Sequence, residues 1–174
     1  MLETSRLLLR PYDYNVMSSI FAKPVADQLA FFGVSDEAEL EKPRIMYEGG
    51  VNTFNRQLLI FHMILKASND VIGWCGFHTW YVTHDRAEVG YVIDDEKHWG
   101  KGYMSEALEA VIEYGFGTMK LHRIEAFVGP SNAASKRLLQ KFGFQKEGLL
   151  REHYKVDGVH GDSEIFGRIK GVEI

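Results

Sequence analysis

The feature that most constrains this chain is a change of period across a pair of glycines. Up to Ile93 the sequence reads as strand; from Gly102 onward Met104, Ala107, Leu108, Val111, Ile112, Gly115, Phe116 and Met119 recur at steps of three and four, the spacing of one helical face. Between the two lie Asp94-Asp95-Glu96, which ends the strand, and Gly100-Lys101-Gly102. A strand, a tight glycine turn and a helix start in succession fix one junction of the fold. They also offer chemistry, because the first amides of a helix have no intrahelical acceptor and glycine lets a ligand approach the backbone closely. Successive N–H groups at the positive end of the helix dipole hold anions such as phosphate or pyrophosphate. The spacing is not that of a P-loop, since no Gly-x-x-x-x-Gly-Lys-Ser/Thr occurs, and Ser105 stands where a dinucleotide fingerprint needs its third glycine. On spacing alone, a plain strand-to-helix turn remains the alternative reading.

The flanking segments predict a mixed domain. Residues 6–10, Arg-Leu-Leu-Leu-Arg, read as a strand that stops at Pro11, and Asp13 to Ala22 as a short helix. Val25 to Asn55 is interrupted by Pro43 and by Gly49-Gly50, which suggests two short helices. Leu58 to Lys66, Val71 to Val82 and Ala87 to Ile93 then form an antiparallel meander. After the main helix come a strand, Arg123 to Val128, and a helix, Ala134 to Phe142, closed by Gly143. Phe144 to Leu150 and Glu164 to Ile169 read as strands on either side of a turn at Asp157-Gly158. The expected fold class is α/β (α+β): one domain over residues 1–174 with a mixed, mostly antiparallel central sheet flanked by helices.

Composition narrows the function by exclusion. The 20 Lys and Arg against 24 Asp and Glu give a net charge of −4, which argues against a basic nucleic-acid face. Cys75 is the single cysteine, so no intramolecular disulfide and no cysteine-based zinc site is possible; with no signal-like N-terminal pattern, a cytoplasmic location is expected. The longest apolar run, Leu58 to Leu65, falls well short of the ~20 residues of a membrane span. The seven histidines show no metal-ligand spacing, so no metal is expected. No Gly-x-Ser-x-Gly elbow occurs, and Cys75 between Trp74 and Gly76 reads as a core residue rather than a nucleophile.

Lys97-His-Trp-Gly-Lys-Gly102-Tyr-Met-Ser-Glu-Ala-Leu resembles the acyl-CoA-binding signature, Gln/Arg-x-x-Gly-x-Gly/Ala, of the GNAT acetyltransferase superfamily. Its Trp-Gly-Lys-Gly-Tyr form is similar to the branch that contains the ribosomal-protein N-terminal acetyltransferases. The resemblance extends from Thr4-Ser-Arg-Leu-Leu-Leu-Arg through Ala87-Glu-Val-Gly-Tyr to Ser131-Asn-Ala-Ala-Ser-Lys-Arg-Leu-Leu-Gln-Lys-Phe-Gly-Phe144, then Arg151-Glu152 and Gly158 to Asp162.

What the resemblance implies is an N-acetyltransferase that uses acetyl-CoA. The loop of Lys97, His98, Trp99, Gly100, Lys101, Gly102, Tyr103 and Met104 would surround the pyrophosphate, with Lys97 departing from the usual Gln or Arg. The backbone of Tyr91, Val92 and Ile93 would pair with the amide-rich pantetheine arm, as an added half-strand does. Asn132 and Ser135, one helical turn apart, would contact that arm. Many members carry a Leu-Tyr pair whose phenol protonates the departing thiolate; this chain has Leu138-Leu139, so the proton must come from elsewhere. The acceptor amine must lose a proton before it attacks, and an α-amine of pKa about 7.7–8.0 needs less help than a lysine at about 10.4. Glu88 occupies the family's base position, Glu152 a second acidic position, and Tyr154 is a possible proton donor. The resemblance favours a protein N-terminal α-amine as acceptor, such as that of a ribosomal protein. A small amine (polyamine, aminoglycoside or amino-acid-like compound) and a non-catalytic acyl-CoA-binding module are the alternatives. No nucleic-acid or membrane partner is expected, and the chain is expected to be a monomer or a homodimer.

Overall fold

The computed structural model describes residues 1–48 and 56–172. Among them, strands β1 (Leu2–Glu3), β2 (Leu7–Tyr12), β3 (Arg56–Leu65), β4 (Val71–Tyr81), β5 (Arg86–Ile93), β6 (Arg123–Val128), β7 (Gln145–Val156) and β8 (Val159–Ile169) form one sheet. Its order is β1-β2-β3-β4-β5-β6-β8-β7, antiparallel throughout except for β5 beside β6. Helices α1 (Tyr14–Phe21), α2 (Val25–Phe32) and α3 (Glu41–Glu48) precede β3; α4 (Tyr103–Gly117) joins β5 to β6, and α5 (Ala133–Lys141) joins β6 to β7.

Side-chain alternation along the strands divides the core in two. On one face, Leu7, Leu9, Phe61, Met63, Cys75, Phe77, Val89 and Ile124 pack against Ala107, Leu108, Val111 and Ile112 of α4 and Leu139 of α5. On the other, Tyr12, Leu58 and Ile60 meet Met17 of α1 with Phe31, Tyr47 and Trp74 around them. Burial of these apolar surfaces, at roughly 25 cal/mol per Å², is the main term holding helices to sheet.

The expected mixed, mostly antiparallel sheet with a strand-helix-strand crossover is present, with several differences of detail. The first long strand runs through Pro11, because β1 pairs only with Leu8 and Leu9 and leaves β2 an open edge there, where a proline is tolerated. The two short helices expected after Val25 are present as α2 and α3, with a short 3-10 turn over Glu37–Leu40 between them. Pro43 is the third residue of α3, in the first turn, where a missing N–H costs nothing; Gly49-Gly50 lie outside the described residues. The last two strands are longer than the sequence suggests. Asp157 and Gly158 both have positive φ (50° and 83°), the two-residue turn whose twist continues the hairpin, so pairing runs back through Tyr154 and Gly161. No helix among the described residues is long and apolar enough to cross a membrane.

Candidate active site

The site begins where strand pairing stops. β5 and β6 are in register only at Arg86↔Arg123, Ala87↔Ile124 and Glu88↔Glu125; beyond Glu88 the two strands part. The gap is a cleft of about 260 Å³ lined by Trp74, His78, Glu88, Tyr91, Asn132 and Tyr154, among others. It passes through the sheet. Trp74 belongs to the α1–α3 side, whereas Tyr91 packs on the α4 side with α5 beyond it. Glu88 and Gly90 share the Trp74 face by alternation, and Val89 and Tyr91 share the other.

The glycine turn follows β5, one of the strands that line the cleft, and lies outside the lining itself. Gly100 (φ 70°) and Gly102 (φ 80°) both adopt left-handed backbone, which side-chain-bearing residues resist, and Gly102 begins α4 without any side-chain cap. The first amides of α4 are therefore left for a ligand. The loop ahead of it is braced locally. Asp95 accepts from the Lys97 N–H (2.9 Å) and pairs with its ammonium (2.8 Å), and the Trp99 indole N–H donates to the Ile93 carbonyl (3.1 Å). That carbonyl, expected on the open edge of β5, thus already has one partner.

A second brace comes from the far N-terminus. Glu106, in the first turn of α4, accepts from the hydroxyls of Thr4 (2.6 Å) and Ser5 (3.1 Å), the Arg6 N–H (2.7 Å) and the Arg6 guanidinium (2.7 Å). Burial opposes its ionisation, but these four donors prevail and hold its carboxyl down at about 2. The same guanidinium donates to the Lys101 carbonyl (2.9 Å) and lies 4.5 Å from the centre of the Tyr103 ring. Arg6 therefore fixes the loop from outside while its amides stay available.

Asn132 caps α5, its side chain accepting from the Ser135 N–H at 3.0 Å, and both residues line the cleft. The Tyr91 hydroxyl is buried there without a hydrogen bond of ordinary geometry. Burial pushes its phenol up to about 12, against a smaller opposing pull from Ser135. A buried donor left over in a cleft beside unsatisfied helix amides suits a ligand with an amide-rich arm and a pyrophosphate. The donor set fits coenzyme A.

On the other side Glu88, with its side chain 14 % exposed, has two neighbours on one oxygen. His78 Nε2 lies 3.2 Å from Oε1, and the Tyr154 hydroxyl donates to the same atom at 3.4 Å. Arg86 does not pair with Glu88; it binds Glu125. Glu152 is not drawn into the cleft: it is exposed at an irregularity of β7, with φ 51°, and its N–H donates to Asp162 (2.9 Å). Val92 and Lys97 are likewise exposed away from the lining, and Lys97 is turned to Asp95. Sequence reasoning missed Trp74 and His78 as lining residues. The signal available was Gly90, two positions after Glu88 on the same strand face, which marks a place where something large lies against the backbone. No group of His, Cys, Asp and Glu suited to a metal occurs among the described residues.

Comparison with known proteins gives the same reading. Residues 6–145 match the model of the acetyltransferase (GNAT) domain. An uncharacterized N-acetyltransferase, p20, of Bacillus licheniformis is 36% identical over 174 residues, covering 97% of this chain and 96% of that one. The [ribosomal protein uS5]-alanine N-acetyltransferase of Escherichia coli is 35% identical over 122 residues, covering 63% of this chain and 58% of that one. Among solved structures, a GNAT-family acetyltransferase from Bacillus anthracis superposes with a TM-score of 0.67 at 27% identity, covering 97% of both chains. The chain belongs to the GNAT family and is an N-acetyltransferase; that family uses acetyl-CoA.

Proposed function

We propose that this protein transfers an acetyl group from acetyl-CoA to the N-terminal α-amine of a peptide or protein, the two reactants entering the cleft from opposite faces of the sheet. The observation that supports it is the cleft itself. It holds a carboxylate between an imidazole and a phenol, and β5, which lines it, runs on to a glycine-held helix start. The amides from His98 to Met104 would hold the pyrophosphate, and the open edge of β5 with Tyr91, Asn132 and Ser135 would hold the arm. Acetyl-CoA when bound supplies an activated thioester carbonyl.

The chain's own residues then manage protons and orientation. Glu88 takes the proton that the α-amine must lose, directly or through one water. Attack of the nitrogen on the acetyl carbon would displace the coenzyme A thiolate, to which Tyr154 would give its proton, regaining one from Glu88 through the contact between them. Direct transfer needs no cysteine nucleophile, in keeping with the buried Cys75, whose thiol burial makes harder to ionise. Glu152 lies outside the cleft and is given no role. Among the described residues the cleft lining contains one carboxylate, Glu88, which suits a single amine on a larger neutral group better than a polycation. This favours the α-amine, and the chemistry of the ribosomal-protein relative points the same way.

The test is a thiol-release assay with peptides bearing free N-terminal alanine or serine, the same peptides blocked at the N-terminus, and spermidine, alongside calorimetric titration with coenzyme A. Turnover of the free peptides alone is expected. Absence of coenzyme A binding at millimolar concentration, or turnover confined to spermidine, overturns the reading.

A further inference from the structure

We propose that His78 is a positioning residue for Glu88, placed against the carboxylate by a bulge in β4 and by the missing side chain of Gly90. The inference rests on the reading of Glu88 as the base. Three separate concessions in the sheet build this one contact. First, the β4–β5 register passes from Phe77↔Val89 to Thr79↔Glu88, so His78 and Thr79 together oppose Glu88 and His78 drops out of the regular alternation. Bulges of this kind re-aim a side chain at the expense of a ladder bond. Second, a Cβ at position 90 would lie 2.5 Å from Cδ2 and 2.9 Å from Nε2 of His78, and 3.1 Å from Trp74, so the imidazole occupies space that only glycine leaves. Third, the Trp74 ring meets the imidazole edge-on, with 6.5 Å between centroids, and closes the remaining side.

The result is a ring held with Nε2 at 3.2 Å from Oε1 of Glu88. A proton on Nε2 completes that hydrogen bond, and the Thr79 hydroxyl, 3.4 Å from Nδ1, is then placed to donate to the other nitrogen. Tyr154 donates to the same oxygen, so both contacts hold the carboxylate by Oε1. The imidazole therefore fixes the rotation of the carboxylate. The groups facing Glu88 are His78 from β4, Tyr154 from β7 and, across the paired end of β6, Glu125, which is itself bound by Arg86 and Arg123.

The experiment measures kcat and KM for acetyl-CoA in the full chain for His78→Phe, His78→Gln, Gly90→Ala and Glu88→Gln, with thermal unfolding as a check on fold. His78→Phe is expected to lower kcat about 10- to 100-fold, as misplacement of a base does. It should leave KM for acetyl-CoA unchanged. His78→Gln, which keeps an N–H donor, should recover most of the loss, and Gly90→Ala, which displaces the ring without removing it, should reproduce the loss. Should the phenylalanine variant not fold, the glutamine and alanine variants carry the test between them. An unaltered kcat in His78→Phe and Gly90→Ala, with Glu88→Gln impaired, overturns this inference alone. Full activity in Glu88→Gln overturns the reading of the base beneath it.

Discussion

At its Arg86 end, β5 is joined to β6 by three register pairs and a chain of ion pairs; a few residues further along, the same two strands part and the cleft opens. The closed end is organised around Glu125, 8 % exposed, which binds Arg86 and sits 3.7 Å from Arg123, whose guanidinium in turn holds Glu147 of β7. The open end has Glu88, Gly90 and an orphaned Tyr91 hydroxyl instead. One strand thus carries both the strongest tie across the seam and its absence. The difference teaches that the cleft is no packing defect. Strand pairing is completed up to Glu88 and then given up, which on the proposed reading leaves the edge of β5 to an amide-rich ligand.

Substitutions at the two ends should separate activity from stability. Glu88→Gln is expected to lower kcat/KM about 100- to 1,000-fold, within the usual range for loss of a general base, while the thermal midpoint stays near that of the parent. Loss of folding instead would mean that the open end, too, is a structural tie. At the closed end, Glu125→Ala leaves two guanidiniums without their shared carboxylate and should cost about 3 kcal/mol in urea unfolding. An unchanged midpoint there would dissolve the contrast. Glu106→Gln should cost about 2 kcal/mol through its charge-assisted hydrogen bonds and weaken coenzyme A binding by loosening the loop.

The pH dependence of that last tie has a definite sign. The Glu106 carboxyl is depressed to about 2 in the fold, so its contribution is complete above the ordinary carboxylate value and is lost as pH falls toward 2. Acid unfolding of Glu106→Gln should lack that component. Gly102→Ala forces an alanine to φ 80° and should cost about 1–2 kcal/mol, with a matching loss of cofactor affinity. Asn132→Ala removes a helix cap and is the smallest effect, about 1 kcal/mol of stability.

What the sequence revealed and what it hid divide along the same line. The strand-to-helix switch, the face of α4, the Asn132 cap and the Asp157-Gly158 turn are local, and local spacing displays them. Glu88 was singled out through the family resemblance, by its place on the strand before the glycine turn. The ties around Glu125 were not, because Arg86, Arg123 and Glu147 meet only once β5, β6 and β7 are assembled. The His78 contact was hidden for a sharper reason. A bulge breaks the alternation by which one decides where a strand residue points, so the pattern itself misdirects. Pro11 misled similarly, being tolerated by an open edge that the linear sequence does not mark.

The clasp of Thr4, Ser5 and Arg6 on Glu106 has a consequence for the order of folding. Its partners stand about a hundred positions apart, the Thr4 contact spanning 102. Closing an unstructured loop of that length costs roughly 4 kcal/mol before any contact repays it. The intervening strands must shorten the path first, so the clasp should close late. The glycine loop gains its outer brace only then. In a refolding experiment, recovery of coenzyme A binding is accordingly expected to lag behind the growth of the sheet.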